Sequence, residues 1–302
     1  MDFRAVESAR KEYKDKVVRD IWITVGITAV FGFMSFSSVA GIVALLGFSI
    51  IAASIAIFVI LLTTRKEAEK YRAAYKSYFV EKSLAKTFTE LKYDHNLGLS
   101  REILKATQMI NTGDVYSSND LARGKYKDVA FAQADAHIQE RYVDSDGNTQ
   151  YVTIFKGRFM IYEFPKKFSF RLEVAEKGFR ANLIPGKNRT NGRKFEKIKL
   201  ESSEFNKMFN TFGEDGFEAF YLLDPSFINN IIELGKEYNG KLLLCFLENR
   251  LVVGLKDGKD AFEPPSIFKE IDETAESEKI NKDIRLIADF VDKLKLDQKL
   301  FK

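Results

Sequence analysis

Hydrophobic and polar positions change their pattern twice along the chain. Met1 to Asp20 is rich in charge, Ile21 to Thr64 contains no Asp, Glu, Lys, Arg or His, and beyond Arg65 charged and apolar residues mix at helical and strand spacings. One helix over the uncharged run would be roughly 66 Å long, about twice a hydrocarbon core of ~30 Å. The pattern therefore predicts a transmembrane α-helical hairpin. Ile21 to Met34 or Phe36 forms a short first span, the turn falls within Ser35 to Gly41 where serine and glycine concentrate, and Ile42 to Leu62 forms a full second span.

Downstream the periods differ. Tyr71, Tyr75, Tyr78 and Phe79 recur among Lys and Glu, which predicts an amphipathic helix from Arg65 to about Lys92. A short helix is expected near Glu102 to Met109, and strand alternation from Asp128 to Tyr142. Asp144 to Asn148 is turn chemistry, and Tyr151 to Phe164 reads as strand, a turn at Lys156-Gly157, and strand. Phe168 to Val174 and Lys197 to Leu200 read as further strands. A helix capped by Ser202 or Ser203 runs to Phe209, and Phe217 to Leu223 reads as a strand. Asp224-Pro225 opens a helix reaching Glu237. Lys241 to Phe246 and Arg250 to Leu255 form a hairpin, and Ile280, Ile284, Ile287, Phe290, Val291 and Leu294 mark a terminal helix. Helices and hairpins come in blocks, which predicts an α+β fold with antiparallel sheet hairpins and flanking helices behind the transmembrane hairpin. The expected organisation is a cytosolic N-terminal amphipathic segment over 1–20, the two-helix hairpin over 21–64, a juxtamembrane helix over 65–98 and a cytosolic α+β domain over 99–302.

Charge orients this arrangement. Arg4, Arg10, Lys11, Lys14, Lys16 and Arg19 precede the first span, Arg65, Lys66, Lys70, Arg72, Lys76 and Lys82 follow the second, and the turn between carries none. The positive-inside rule then places both termini in the cytoplasm. No ionisable residue lies within the spans, so an anchor is expected rather than a conduit. Ser49, Ala52, Ala53 and Ala56 form a small-residue stripe suited to helix packing in the membrane, within the hairpin or between copies in a homo-oligomer. One cysteine, Cys245, excludes an internal disulfide, and His95 and His137 alone make no zinc site. A net charge of +4 is too small for duplex-wide phosphate binding, so no nucleic-acid partner is expected.

Four segments carry a resemblance. They are Thr153-Ile-Phe-Lys-Gly-Arg-Phe159, Gly216-Phe-Glu-Ala-Phe-Tyr-Leu-Leu-Asp-Pro225, Phe262-Glu-Pro-Pro-Ser-Ile-Phe268 and Leu286 to Leu294. In this order, behind two spans, they resemble the bacterial two-span membrane family catalogued as domain of unknown function 3137, over nearly the whole chain. The pattern departs from the family at Phe220, where an Arg is usual, and at Asp224, where a Thr is usual. The resemblance implies a bacterial plasma (inner) membrane protein with its large domain in the cytosol, and implies no activity.

Candidate chemistry is sparse. Ser83 and Lys86 match Ser-x-x-Lys, but no Lys-Thr-Gly strand follows. Asp144, Asp146 and Asn148 resemble the start of a calcium loop, with Gly147 misplaced and no closing Glu. Asp135 and His137 share a strand face without a nucleophile in view, and Cys245 sits in the apolar run Leu242 to Leu247. Glycine-rich phosphate loops are lacking, and no cofactor or metal is expected. The one directional feature is a basic stretch, Lys187, Arg189, Arg193, Lys194, Lys197 and Lys199, broken only by Glu196. It suits anionic lipid headgroups on the bilayer, and a membrane or cytosolic protein is the other partner considered. These features predict a membrane-anchored binding module. The alternatives are a tethered hydrolase or transferase with unidentified catalytic carboxylates, which a deep pocket with convergent Asp135, His137 or Glu140 would favour, or an accessory subunit of a membrane complex.

Overall fold

The computed structural model describes residues 2–35, 54–55, 57–179, 196–214 and 216–297. The chain divides into two units, one of Met1–Lys82 with Glu263–Glu278, the other of Ser83–Phe262 with Lys279–Lys302.

The first unit is helical. Helix α1 (Phe3–Ser35) and helix α2 (Arg65–Tyr75) run antiparallel, because Glu12 pairs with Lys70 at 2.5 Å, Lys16 with Glu67 at 2.7 Å, and Thr63 donates to Asp20 at 2.8 Å. As numbering rises along one helix it falls along the other. Tyr71, Tyr75 and Phe79, each four residues from the next, put their rings on one buried side, with Tyr75 and Phe79 centroids 5.0 Å apart. A π-helical turn, Lys76–Glu81, continues α2 and carries buried Lys76 to Glu263 at 3.2 Å. The segment after Phe262 closes the unit, Tyr71 donating to the Pro265 carbonyl at 3.1 Å and Arg10 to the Ile267 carbonyl at 2.6 Å.

The membrane reading is corrected here. Among the described residues no helix is long and apolar enough to cross a membrane. The physical reason lies in α1, which starts at Phe3 and spends its first turns on Arg4, Glu7, Arg10, Lys11, Glu12 and Lys14, leaving only its end for the apolar run. A two-span plasma-membrane protein with both termini cytoplasmic is therefore not supported. The second expected span falls largely outside the described residues, as do Ser49, Ala52, Ala53, Ala56 and the expected turn beyond Ser35. Ile21, Trp22, Ile23, Val25, Ile27, Phe58, Leu61 and Leu62 are exposed.

The second unit is built on a nine-stranded antiparallel sheet. Its strands are β1 (Thr89–Asp94), β2 (Val115–Tyr126), β3 (Val129–Val143), β4 (Thr149–Glu163), β5 (Leu172–Glu176), β6 (Glu196–Ile198), β7 (Phe209–Gly213), β8 (Lys241–Leu247) and β9 (Arg250–Lys256). They lie in the order β1-β2-β3-β4-β9-β8-β5-β7-β6. The further described helices include α3 (Lys82–Thr87), α4 (Arg101–Thr107), α5 (Ser203–Met208), α6 (Gly216–Leu222), α7 (Pro225–Glu237) and α8 (Glu273–Lys293), α8 giving its first residues to the first unit. The α+β class and the antiparallel hairpins agree with the sequence pattern.

The β3–β4 hairpin turns as expected at Asp144, whose carboxylate accepts the main-chain N–H groups of Asp146 and Asn148, with Gly147 at φ 83°. Local chemistry explains two caps as well, Ser202 accepting from Phe205 and Asp224 from Phe227. Three expectations fail. Lys156-Gly157 is no turn, because β4 runs through it and a Cβ at Gly157 would lie 2.1 Å from the Leu255 carbonyl oxygen. That glycine serves close backbone approach instead. Phe217 to Leu222 is helical rather than extended, and the helical run after Arg65 stops at Thr87, short of Lys92, because β1 begins at Thr89.

One sheet face carries Leu121, Ala134, Ile138, Phe155, Phe159 and Val252, packed with Leu104 and Met109. The other meets α7 and α8. Tyr162 donates to the Ile287 carbonyl at 2.8 Å, and the Phe227 and Phe246 rings lie 5.9 Å apart. Against this second face stands the polar cluster described next.

Candidate functional site

Asp135 sits mid-strand on β3, opposite Asn119 of β2 and Arg158 of β4. Strand alternation should send the residue after Asn119 to the opposite face. A bulge intervenes between Asn119 and Ala122, and Asp120 takes φ 58°, a left-handed conformation that Asp tolerates. The bulge returns the Asp120 carboxylate to the Asp135 side, while its freed main-chain N–H groups go to the loop after β1, Asp120 to the His95 carbonyl and Leu121 to that of Leu97. The loop leaving β9 adds Asp260. Asp120, Asp135 and Asp260 thus present carboxylate oxygens all within 4.8 Å of one another, the first two fully buried and the third partly so.

The surrounding donors are specific. Tyr93 donates to Asp120 Oδ1 at 2.5 Å, Asn119 to Asp120 Oδ2 at 2.9 Å and to Asp260 Oδ2 at 3.3 Å, and the Ala261 N–H to Asp135 Oδ2 at 2.8 Å. Gln133 is buried and spends its amide nitrogen on the Asp120 carbonyl at 3.0 Å. Arg158, 4% exposed, approaches Asp135 Oδ1 to 3.6 Å, donates to the Asp283 carbonyl at 2.6 Å, and lies with its guanidinium 5.1 Å from the centre of the Phe262 ring. Burial pushes the Asp135 carboxyl well above the usual carboxylate range. Arg158 opposes that shift, and Asp260 and Asp120 reinforce it. Burial raises Asp283 likewise, against the pull of Arg158.

Of the expected acid–base residues, only Asp135 belongs to this cluster. His137 bonds Thr153 Oγ1 at 3.0 Å, and burial, with Lys156 nearby, lowers its basicity. Glu140 is held by Asn111 at 3.3 Å. Cys245 is buried in the core, and Ser83 is buried in α3 while Lys86 is exposed. Asp120, Arg158 and Asp260 were missed, since they come from three separate stretches with no motif spacing. One signal was available, Arg158 directly before the apolar run Phe159 to Tyr162.

The expected basic stretch is only partly visible. Lys187, Arg189, Arg193 and Lys194 lie outside the described residues, while Lys197 and Lys199 are exposed on and just beyond edge strand β6. Glu196 of β6 pairs with Gly213 at the end of β7, and α6 starts soon after. On α6, Phe220 and Tyr221 are 48% and 58% exposed, with Lys166 Nζ 5.4 Å from the Tyr221 ring centre.

Residues 153–296 match the family described as Protein of unknown function (DUF3137). The match is to the family named in the resemblance. The match does not reach the residues expected to form the two spans, and the near-whole-chain extent and two-span character are not borne out by it. No curated protein matches the chain. Among solved structures, the crystal structure of the mycobacterial trehalose monomycolate transport factor A, TtfA, aligns with a TM-score of 0.39 at 9% identity, over 74% of this chain and 95% of that one. At that level the likeness bears on neither the fold nor the activity of this chain.

Proposed function

We propose that the sheet unit is a binding module whose exposed basic and aromatic residues dock on anionic lipid headgroups. The observation that carries this reading is the exposed pair Phe220 and Tyr221 with Lys166 against the Tyr221 ring; Lys197 is exposed on edge strand β6. Amphipathic rings suit the boundary between headgroups and acyl chains, and a Lys can lay its alkyl stem there while its ammonium faces phosphate. Each Lys or Arg near an anionic surface contributes about 1 kcal/mol. Lys187, Arg189, Arg193 and Lys194 precede β6 in sequence and would add to the same charge. A catalytic reading has less support, because His137 engages Thr153 rather than Asp135.

Sedimentation of the full chain with phosphatidylcholine vesicles, with and without phosphatidylglycerol, tests the proposal. Binding should require the anionic lipid, weaken as salt rises, and fall when Lys187, Arg189, Arg193 and Lys194 are changed together to Gln. Equal binding by that variant would discard the docking reading.

A further inference from the structure

Buried acceptors are normally matched with donors, and an unmatched one costs on the order of 1–3 kcal/mol. In the Asp120, Asp135 and Asp260 cluster the matching is one-sided. Asp135 Oδ2 and Asp260 Oδ2 have donors, whereas Asp135 Oδ1 has the Arg158 Nε ion pair at 3.6 Å, beyond hydrogen-bond distance, and Asp260 Oδ1 meets no hydrogen-bond donor among the described residues. A further buried oxygen is in the same condition and belongs to no carboxylate. Gln133 is fully buried, its amide orientation is fixed by the bond from its nitrogen to the Asp120 carbonyl, and its Oε1, on the same amide beside Asp120, has no donor.

We propose that Asp120, Asp135 and Asp260, with Gln133 beside them, form a site for one hard divalent cation such as Ca²⁺, Mn²⁺ or Mg²⁺. Every candidate ligand atom is an oxygen, the set that suits these ions and not zinc or copper. Carboxylate oxygens within 4.8 Å of one another can share an ion held at about 2.0–2.6 Å from each. Charge points the same way. Arg158 is the cation that acts on Asp135, against the like charge of Asp120 and Asp260, and a divalent ion bound with the carboxylates ionised would offset that like charge. Arg158 also donates to the Asp283 carbonyl, and Lys259 and Lys279 act electrostatically on the Asp283 carboxylate, so that fourth acid has its own cations. Tyr93 and Asn119 then orient Asp120 and Asp260 from behind, as groups outside a metal's ligand set commonly do. This inference stands apart from the docking proposal.

The test uses the full chain stripped with a chelator and titrated with CaCl₂, MnCl₂ or MgCl₂, following bound metal by equilibrium dialysis and the melting temperature in parallel. At least one ion should bind at one equivalent per chain and raise the melting temperature to a plateau. Asp260→Asn should weaken that binding by roughly tenfold or more. Asp260 is the first choice because it lies in a loop and is only partly buried. Asp135→Asn is the second variant and should abolish binding. The proposal is overturned if none of the three ions binds at one equivalent. It is equally overturned if Asp260→Asn binds like the parent, or if acid alone raises the melting temperature while every cation leaves it unchanged, the behaviour of a proton shared between Asp135 and Asp260.

Discussion

Arg10 in the helical unit and Arg158 in the sheet unit are buried, and the two are held by the same pair of partners, a carboxylate and a main-chain carbonyl. Arg10, 3% exposed, takes Glu7 at 2.8 Å and the Ile267 carbonyl; Arg158, 4% exposed, takes Asp135 at 3.6 Å and the Asp283 carbonyl. Their effects on the carboxylates are opposite. The hydrogen bonds from Arg10 hold Glu7 below the usual carboxylate range, whereas Asp135 lies well above it despite Arg158. Glu7 keeps contact with water and has no carboxylate crowding it. Asp135 is 2% exposed and faces Asp260 and Asp120, so desolvation and like charge outweigh one guanidinium. A buried cation thus secures its partner only where the partner is single and partly solvated.

The largest test of this contrast is Arg158→Met. Removing one member of a buried pair leaves the other uncompensated, at a cost of about 3–5 kcal/mol. Urea denaturation should show that loss, and Asp135→Asn added to Arg158→Met should recover much of it, because the stranded charge goes with the carboxylate. A double variant as unstable as the single would mean that Arg158 acts through Asp283 and Phe262 alone.

The two arginines also differ in how they could be read. Glu7 and Arg10 are three residues apart on one helix, so their pairing follows from spacing. Asp135 and Arg158 meet because the hairpin register places them opposite, and Asp120 joins through a bulge and one left-handed residue. No local pattern specifies that bulge. The same division runs through the fold. The hairpins at Asp144 to Asn148 and Glu248-Asn249 and the caps at Ser202 and Asp224 are chemistry over a few residues, and they were legible. Strand β2, with Ser117, Ser118, Asn119 and Asp120 in its middle, lacks apolar alternation and was not foreseen, although it supplies part of the cluster. Gly157 misled because absence of a side chain serves a turn and a close backbone approach equally well. The uncharged run was legible as a composition, yet its first part continues a helix that begins among charged residues.

Arg10→Met should cost less than Arg158→Met, about 1.5–3 kcal/mol, the range for hydrogen bonds to charged groups. The partner left behind, Glu7, can turn to water. The pH profile sharpens this difference. Glu7 has a lower pKa folded than unfolded, so its contribution is fully present above the ordinary glutamate value of 4.5 and is lost as pH falls through the depressed one. Glu7→Gln should therefore be less stable than the parent at neutral pH, and the gap should close on acidification. A gap that stays constant from neutral pH into acid would show that the Glu7 charge contributes nothing to the helical unit.

The smallest effects belong to the charges that are fully solvated. Lys197 and Lys199 stand exposed at the β6 edge, so changing either to Gln should leave the denaturation midpoint within about 0.5 kcal/mol of the parent. Their proposed contribution appears only against an anionic surface, where each loss should weaken vesicle binding by about 1 kcal/mol, roughly fivefold, and should matter less as salt rises. Tyr221→Ala makes the complementary test. It removes exposed ring area without altering charge, so binding should fall while its salt dependence keeps the parent's slope. If Lys197→Gln and Tyr221→Ala changed the salt slope equally, lysine charge and aromatic insertion could not be the separate contributions that the docking proposal requires.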